Sequence, residues 1–236
     1  MKRFLLTSTL ILIFHSISVC QSNKAKTNTP KPPFIIDIKG NIDKGKVIKL
    51  SSLGKHLQYI PLETRPECTI ERIHKVELNE SYIFVNSFQK LLQFDKNGNF
   101  IRQIGSQGRG PAEYLSVIDF CVDNEKKEVL IISSGRLMTF DFDDNFKRSD
   151  NISFRPAQIL LKDINSIMYH LYNITTVAKD VVPDSWVITN RQGKLLYNIP
   201  NSLKRVSKMG IIVGVTPFYL FNNSIHFMEF GIDTLY

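Results

Sequence analysis

A chain of 236 residues, 43% of them hydrophobic and 22% charged, suits one globular domain able to bury a sizeable core and excludes a low-complexity or disordered class. Its formal charge is +8, or +6 once Lys2 and Arg3 leave with a leader, and the basic residues form no block of like charge. Nucleic acid is therefore a poor partner, and the spread of charge fits a solvated basic surface with room for a mild attraction to anionic lipid or acidic glycans.

The chain opens on Met1-Lys2-Arg3 and continues in an apolar run over residues 4–19, interrupted by Thr7, Ser8, Thr9, His15, Ser16 and Ser18. That is the layout of an export signal, too short and too polar at its end for a membrane span. The run ends on Ile17-Ser18-Val19-Cys20-Gln21, which resembles the cleavage-and-lipidation box of bacterial lipoproteins. The resemblance implies several acyl groups on Cys20, enough to anchor the chain stably in a membrane leaflet. Val19 stands where that box carries Gly or Ala, so ordinary cleavage nearby, releasing a soluble exported protein, stays open. No acidic residue directly follows Cys20, which favours a tether facing the periplasm over surface export. Localisation reads as exported, in the periplasm or on the outer membrane. Residues 21–33, with Ser, Asn, Thr, Lys and three prolines, read as a flexible tether.

With Cys20 assigned to lipid, Cys68 and Cys121 remain, either as one disulfide or as two buried thiols.

Residues 34–236 are expected to form an all-β domain, because the chain repeats itself. Residues 82–100 match residues 128–146 without a gap at an offset of 46, with Phe94-Asp95 falling on Phe140-Asp141 and Asn99-Phe100 on Asn145-Phe146. Each copy carries β-branched or aromatic runs of strand length separated by short polar breaks. Asp95-Lys96-Asn97-Gly98-Asn99 reads as a hairpin turn rather than a calcium loop, since its glycine comes too early and position twelve is Ser106. A fainter copy runs over residues 185–196, with Gly193 near two periods beyond Gly98, and a fourth flanks Asn222-Asn223. Four short strands in each period of roughly 40 to 50 residues is the spacing of β-propeller blades.

Between the first two copies lies Ile104-Gly105-Ser106-Gln107-Gly108-Arg109-Gly110-Pro111-Ala112-Glu113-Tyr114. It lacks the Gly-Lys-Ser/Thr ending of a phosphate loop and precedes a strand, so Gly105, Gly108, Gly110, Pro111 and Tyr114 read as a structural crossing from the outer edge of one blade to the inner strand of the next. Residues 100–114, with Asp119-Phe120-Cys121-Val122-Asp123 beyond them, resemble the NHL-type repeat. They are similar to the six-bladed β-propeller lipoproteins of gut-type Bacteroidetes, as are the stretches 59–64 and 233–236. The resemblance implies NHL-like four-stranded blades and an envelope location, and leaves activity unassigned. Six blades need on the order of 280 residues, whereas residues 34–236 hold about four. The expected ring is therefore incomplete, as in a truncated chain.

No catalytic signature stands out, and neither a cofactor nor a metal site is called for. His15, His56, His74, His170 and His226 show no metal-ligand spacing, with His74 and His170 reading as packing residues of strands. Asp119 and Asp123 share one face of a strand, a faint glycosidase clue without a partner carboxylate. Trp186, the one tryptophan, makes no stacking platform for sugars on its own. The leading function is a lipid-tethered binding module for a protein, peptide or glycan, with Arg102, Arg109 and Glu113 near the crossing as candidate contacts. The alternatives are a lyase or hydrolase with a site in the central channel, and a truncated product without function.

Overall fold

The computed structural model describes residues 40, 43–87, 89–171, 184–200, 218–222 and 224–227. The leader, Cys20 and the tether 21–33 lie outside the described residues, as does the motif at 233–236. The chain divides into two units, Met1–Leu57 and Gln58–Tyr236. The described residues of the first are exposed and include the 3-10 turn Leu50–Ser52, where Ser52 Oγ donates to the Lys49 carbonyl at 2.7 Å.

The second unit is all-β. Its first meander holds β1 (Ile73–Leu78), β2 (Tyr82–Ser87), β3 (Lys90–Asp95) and β4 (Phe100–Gln103), paired antiparallel in chain order. After the short parallel pair β5 (Ser106–Gln107) and β6 (Glu113–Tyr114) comes a second meander, β7 (Asp119–Asp123), β8 (Glu128–Ser133), β9 (Arg136–Asp141) and β10 (Phe146–Asn151). The third is β11 (Pro156–Asp163), β12 (Ser166–Leu171), β13 (Asp184–Asn190) and β14 (Leu195–Pro200), followed by a hairpin of β15 (Phe218–Phe221) and β16 (Ser224–Phe227). The first strands gather together, β11 along β7 and β1 against β7, in a propeller-like arrangement. Strands β11 and β12 occupy the stretch where the sequence repeat fades.

The 46-residue repeat is a repeat of register. Ile83 pairs with Phe94 as Val129 pairs with Phe140, and Ser87 pairs with Lys90 as Ser133 pairs with Arg136. The second strand of each meander is buried almost throughout, so its residues run nearly continuously apolar instead of alternating. One face of the first meander meets the second through Phe84, Leu91, Phe120, Val129, Ile131 and Phe140. The second meets the third through Cys121, Leu130, Ile132, Ile159, Tyr169 and Val187. The third packs on the last hairpin through Leu160, Met168, Trp186, Ile188 and Phe227. The remaining face of the first meander is covered by Ile60, Leu62, Cys68 and Ile70. Cys68 and Cys121 are both buried and free, which settles the thiol alternative.

The turn from third to fourth strand recurs three times around one side chain. Asp95 Oδ1 accepts from the amides of Asn97 and Asn99, Asp141 Oδ1 from those of Asp143 and Asn145, and Asn190 Oδ1 from those of Gln192 and Lys194. The fourth residue takes positive φ each time, as Gly98 at 90°, Asp144 at 68° and Gly193 at 78°. A Cβ on Gly98 would overlap the Pro61 carbonyl, whereas one on Gly193 would meet open space. Gly193→Ala is therefore expected to cost about 1 kcal/mol for its left-handed backbone alone, and Gly98→Ala roughly 1–3 kcal/mol more for the overlap. Urea unfolding of the two variants checks the difference, and equal losses would mean that residues 60–62 do not pack on this turn.

Candidate functional site

The glycine-rich crossing folds into a closed loop. Ile104 extends β4 by donating its amide to the Leu91 carbonyl at 2.8 Å, and the chain then turns at Gly105, whose φ is 69°. Tyr114 is fully buried at the loop's base. Its hydroxyl donates to the Ile104 carbonyl at 2.8 Å and accepts from the Leu91 amide at 3.3 Å and Gln103 Nε2 at 3.2 Å. Burial pushes the phenol up to about 12, so it stays protonated as a donor. Gly108 donates to the Tyr114 carbonyl at 3.0 Å, and Arg136 Nη2 donates to the Glu113 carbonyl at 2.6 Å from the second meander.

Of the three candidate contacts, the structure ties one into this framework. Glu113 turns its carboxylate inward, accepting from the Gly110 amide at 2.8 Å, and a Cβ on Gly108 would strike that same carboxylate. Arg102 pairs across the seam with the exposed Asp143 at 3.2 Å, a contact worth little in water. Arg109 is exposed on the loop. Pro111 is exposed too, its carbonyl facing Arg136 Nη1 at 3.4 Å.

A second cluster lies where the first strands meet. Lys75 on β1 reaches Asp119 on β7 at 3.1 Å, Glu77 at 2.9 Å and the Phe120 carbonyl at 2.5 Å. Its ammonium also stands 5.3 Å from the Phe120 ring and 5.9 Å from the Phe218 ring. Glu77 accepts from the Val122 amide at 2.9 Å, and Asp119 accepts from the Ile159 amide of β11 at 2.8 Å. Three meanders are thus joined by one lysine and two carboxylates. Burial raises both carboxyls from their ordinary range. Burial opposes the lysine's charge, but Asp119 and Glu77 outweigh it and hold the ammonium above its ordinary value. All three ammonium hydrogens have acceptors, so Lys75 is built as a clamp and not as a free base or nucleophile.

Asp123, the other carboxylate singled out on β7, does not join Asp119. It pairs with the buried guanidinium of Arg191, which also reaches Glu128 at 3.2 Å and the Ile164 carbonyl at 3.1 Å. Sequence reasoning missed Lys75, Glu77, Arg136 and Arg191. The i, i+2 spacing of Lys75 and Glu77 on one strand face was the available signal, and Arg191 occupies the turn position that Phe142 holds one repeat earlier. His170 is buried on β12 and His74 lies exposed on β1. Among the described residues no group of three or more His, Cys, Asp or Glu could hold a metal ion, and no helix is long and apolar enough to cross a membrane.

Lys75→Met should cost about 3–5 kcal/mol in urea unfolding at neutral pH, because it strands two carboxylates without their counter-charge. A carboxyl raised in the folded state favours folding at low pH and loses that contribution as pH rises through its folded value. The variant should therefore regain stability on acidification, and adding Glu77→Gln with Asp119→Asn should recover it at neutral pH. A loss below about 1 kcal/mol would mean the cluster is screened by solvent.

The comparisons with known proteins agree with this architecture. No curated protein matches the chain. A crystal structure from Bacteroides fragilis, described as a "Putative exported protein", superposes with a TM-score of 0.63 at 21% identity, covering 77% of this chain and 51% of that one. At that identity the likeness speaks for the fold, and the chain spans about half the length of the Bacteroides protein. The WD40 domain of Neurospora crassa Pan2, at a TM-score of 0.33 and 5% identity over 54% of this chain and 52% of that one, carries no argument. A family model described as a domain of unknown function, DUF4934, matches residues 33–236, and the chain belongs to that family.

Proposed function

We propose that this protein is an exported, lipid-tethered module of the cell envelope whose β-propeller of NHL-like blades, part of a six-bladed ring, binds a protein, peptide or glycan through its inter-blade loops. The observation that carries the reading is the crossing loop over residues 104–114. Its backbone is fixed by the buried Tyr114 hydroxyl, the Glu113 carboxylate and Arg136, while Arg109 is exposed. A loop held in shape before binding loses less entropy on complex formation, which is what a recognition surface needs. Export draws support from the leader pattern and from the description of the Bacteroides protein. The lipid anchor rests on Cys20 and its resemblance to a lipidation box. An enzyme reading has one observation in its favour, the gathering of Lys75, Glu77 and Asp119 where the first strands meet, but their mutual bonds leave the lysine no hydrogen for a substrate.

Two measurements test the proposal. Cys20→Ser should move the protein from the membrane fraction to the soluble fraction, and the intact mass of detergent-extracted wild type should exceed that of the chain from Cys20 by its acyl groups. A serine variant that stays in the membrane would remove the tether. Arg109→Glu should abolish retention on arrays of envelope glycans and peptides without shifting the thermal midpoint. Unchanged retention would remove the loop from the binding surface.

A further inference from the structure

The third meander carries a buried group that neither the clamp nor the crossing loop uses. Gln158 on β11, His170 on β12 and Trp186 on β13 are successive cross-strand partners, and their side chains share one face. That face also bears Leu160, Met168 and Ile188 and packs on the β15–β16 hairpin. His170 is 1% exposed and Trp186 is fully buried. Their rings lie 4.6 Å apart, and Trp186 in turn meets Phe227 at 4.8 Å and Phe218 at 6.4 Å. Neither imidazole nitrogen has a hydrogen-bond partner, nor does the indole N–H or Gln158 Oε1.

Among the described residues, the titratable and charged groups on the surrounding elements do not engage this imidazole. Asp184 on β13 accepts from Asn198, and Asp163 and Lys162, towards the end of β11, pair with each other. Tyr169 points to the opposite seam, His226 lies on β16 opposite Tyr219, and Lys75 stands beyond the Phe218 ring in its own ion pairs. A neutral imidazole tolerates such an apolar seam. An imidazolium there would be a buried cation with no counter-charge among the described residues, which is costly.

We infer that His170 is an acid-sensitive latch, neutral while the third meander and the β15–β16 hairpin are closed on each other, and driving that seam apart when it takes a proton. Burial lowers its pKa from 6.5 to about 4. A histidine depressed in this way contributes stability that is whole above its unfolded value and declines as pH falls from about 6.5 towards 4. The latch would therefore loosen the seam between the third meander and the β15–β16 hairpin in acidic surroundings.

Trp186 is the one tryptophan in the chain, so its fluorescence reports this seam directly. An imidazolium in contact with an indole quenches its emission, and separation of the seam shifts the emission to the red. In the full-length protein, titration from pH 7.5 to 4 should quench and red-shift the emission with a midpoint well below 6.5. The folding constant from urea unfolding should fall roughly a hundredfold more than in His170→Phe or His170→Gln over the same range. Two replacements of different shape separate titration from packing damage, and the wild-type fluorescence needs neither. A midpoint near 6.5 without loss of stability would show that the ring is solvated in solution. An equal acid loss in wild type and both variants would show that the response belongs to other groups, and either result overturns the latch.

Discussion

Asp119 holds three meanders at once. Its carboxylate accepts the Lys75 ammonium from β1 and the Ile159 amide from β11, while its own strand β7 lies between them. Antiparallel meanders complete their hydrogen bonds internally except at the edge strands, whose free groups must find something else. Here the first strands come together, and side chains supply what no ladder can. Glu77 takes the Val122 amide, Lys75 takes the Phe120 carbonyl, and Asp119 takes the Ile159 amide. An isolated charge in such a place would be destabilising, so lysine and carboxylates are needed together.

Away from that junction the seams solve one geometric problem with different chemistry. The residue following the turn aspartate in the second meander is Phe142, which stacks on Tyr82 and Phe84 at 5.6 and 5.4 Å. One repeat later the same place is taken by Arg191, and the counterpart of Tyr82 is Glu128. An aromatic contact has become a buried ion pair reinforced by Asp123, on an unchanged backbone turn. The seam tolerates the exchange because both partners changed; a lone arginine facing a tyrosine would have left its charge unpaired.

Much of the architecture was legible because backbone constraints repeat. The match of residues 82–100 to 128–146 marks β2–β4 and β8–β10 with their turns, since strand length, the turn aspartate and a residue of positive φ all recur. In the glycine-rich loop, Gly105 takes a left-handed φ and Gly108 leaves room for the Glu113 carboxylate. Strands β11 and β12 were not legible, because their inward positions keep apolar character while the match to the first two copies fades there, although Asp163 still accepts the Asn165 amide at the β11–β12 turn as Asp123 accepts that of Glu125 at the β7–β8 turn. The charged junction was hidden for a different reason. Lys75 and Asp119 are 44 residues apart, and nothing in either local pattern records that they meet. Glu113 shows the converse, a charged loop residue read as a surface contact whose carboxylate closes its own turn.

Amide hydrogen exchange at Ile159, compared between wild type and Asp119→Ala, tests most directly the claim that one carboxylate joins neighbouring meanders. The account predicts a slow Ile159 amide in wild type that exchanges at least tenfold faster in the variant, with the amides inside the β8–β9 hairpin unchanged. An Ile159 amide that is equally slow in both proteins, or fast in both, would contradict it.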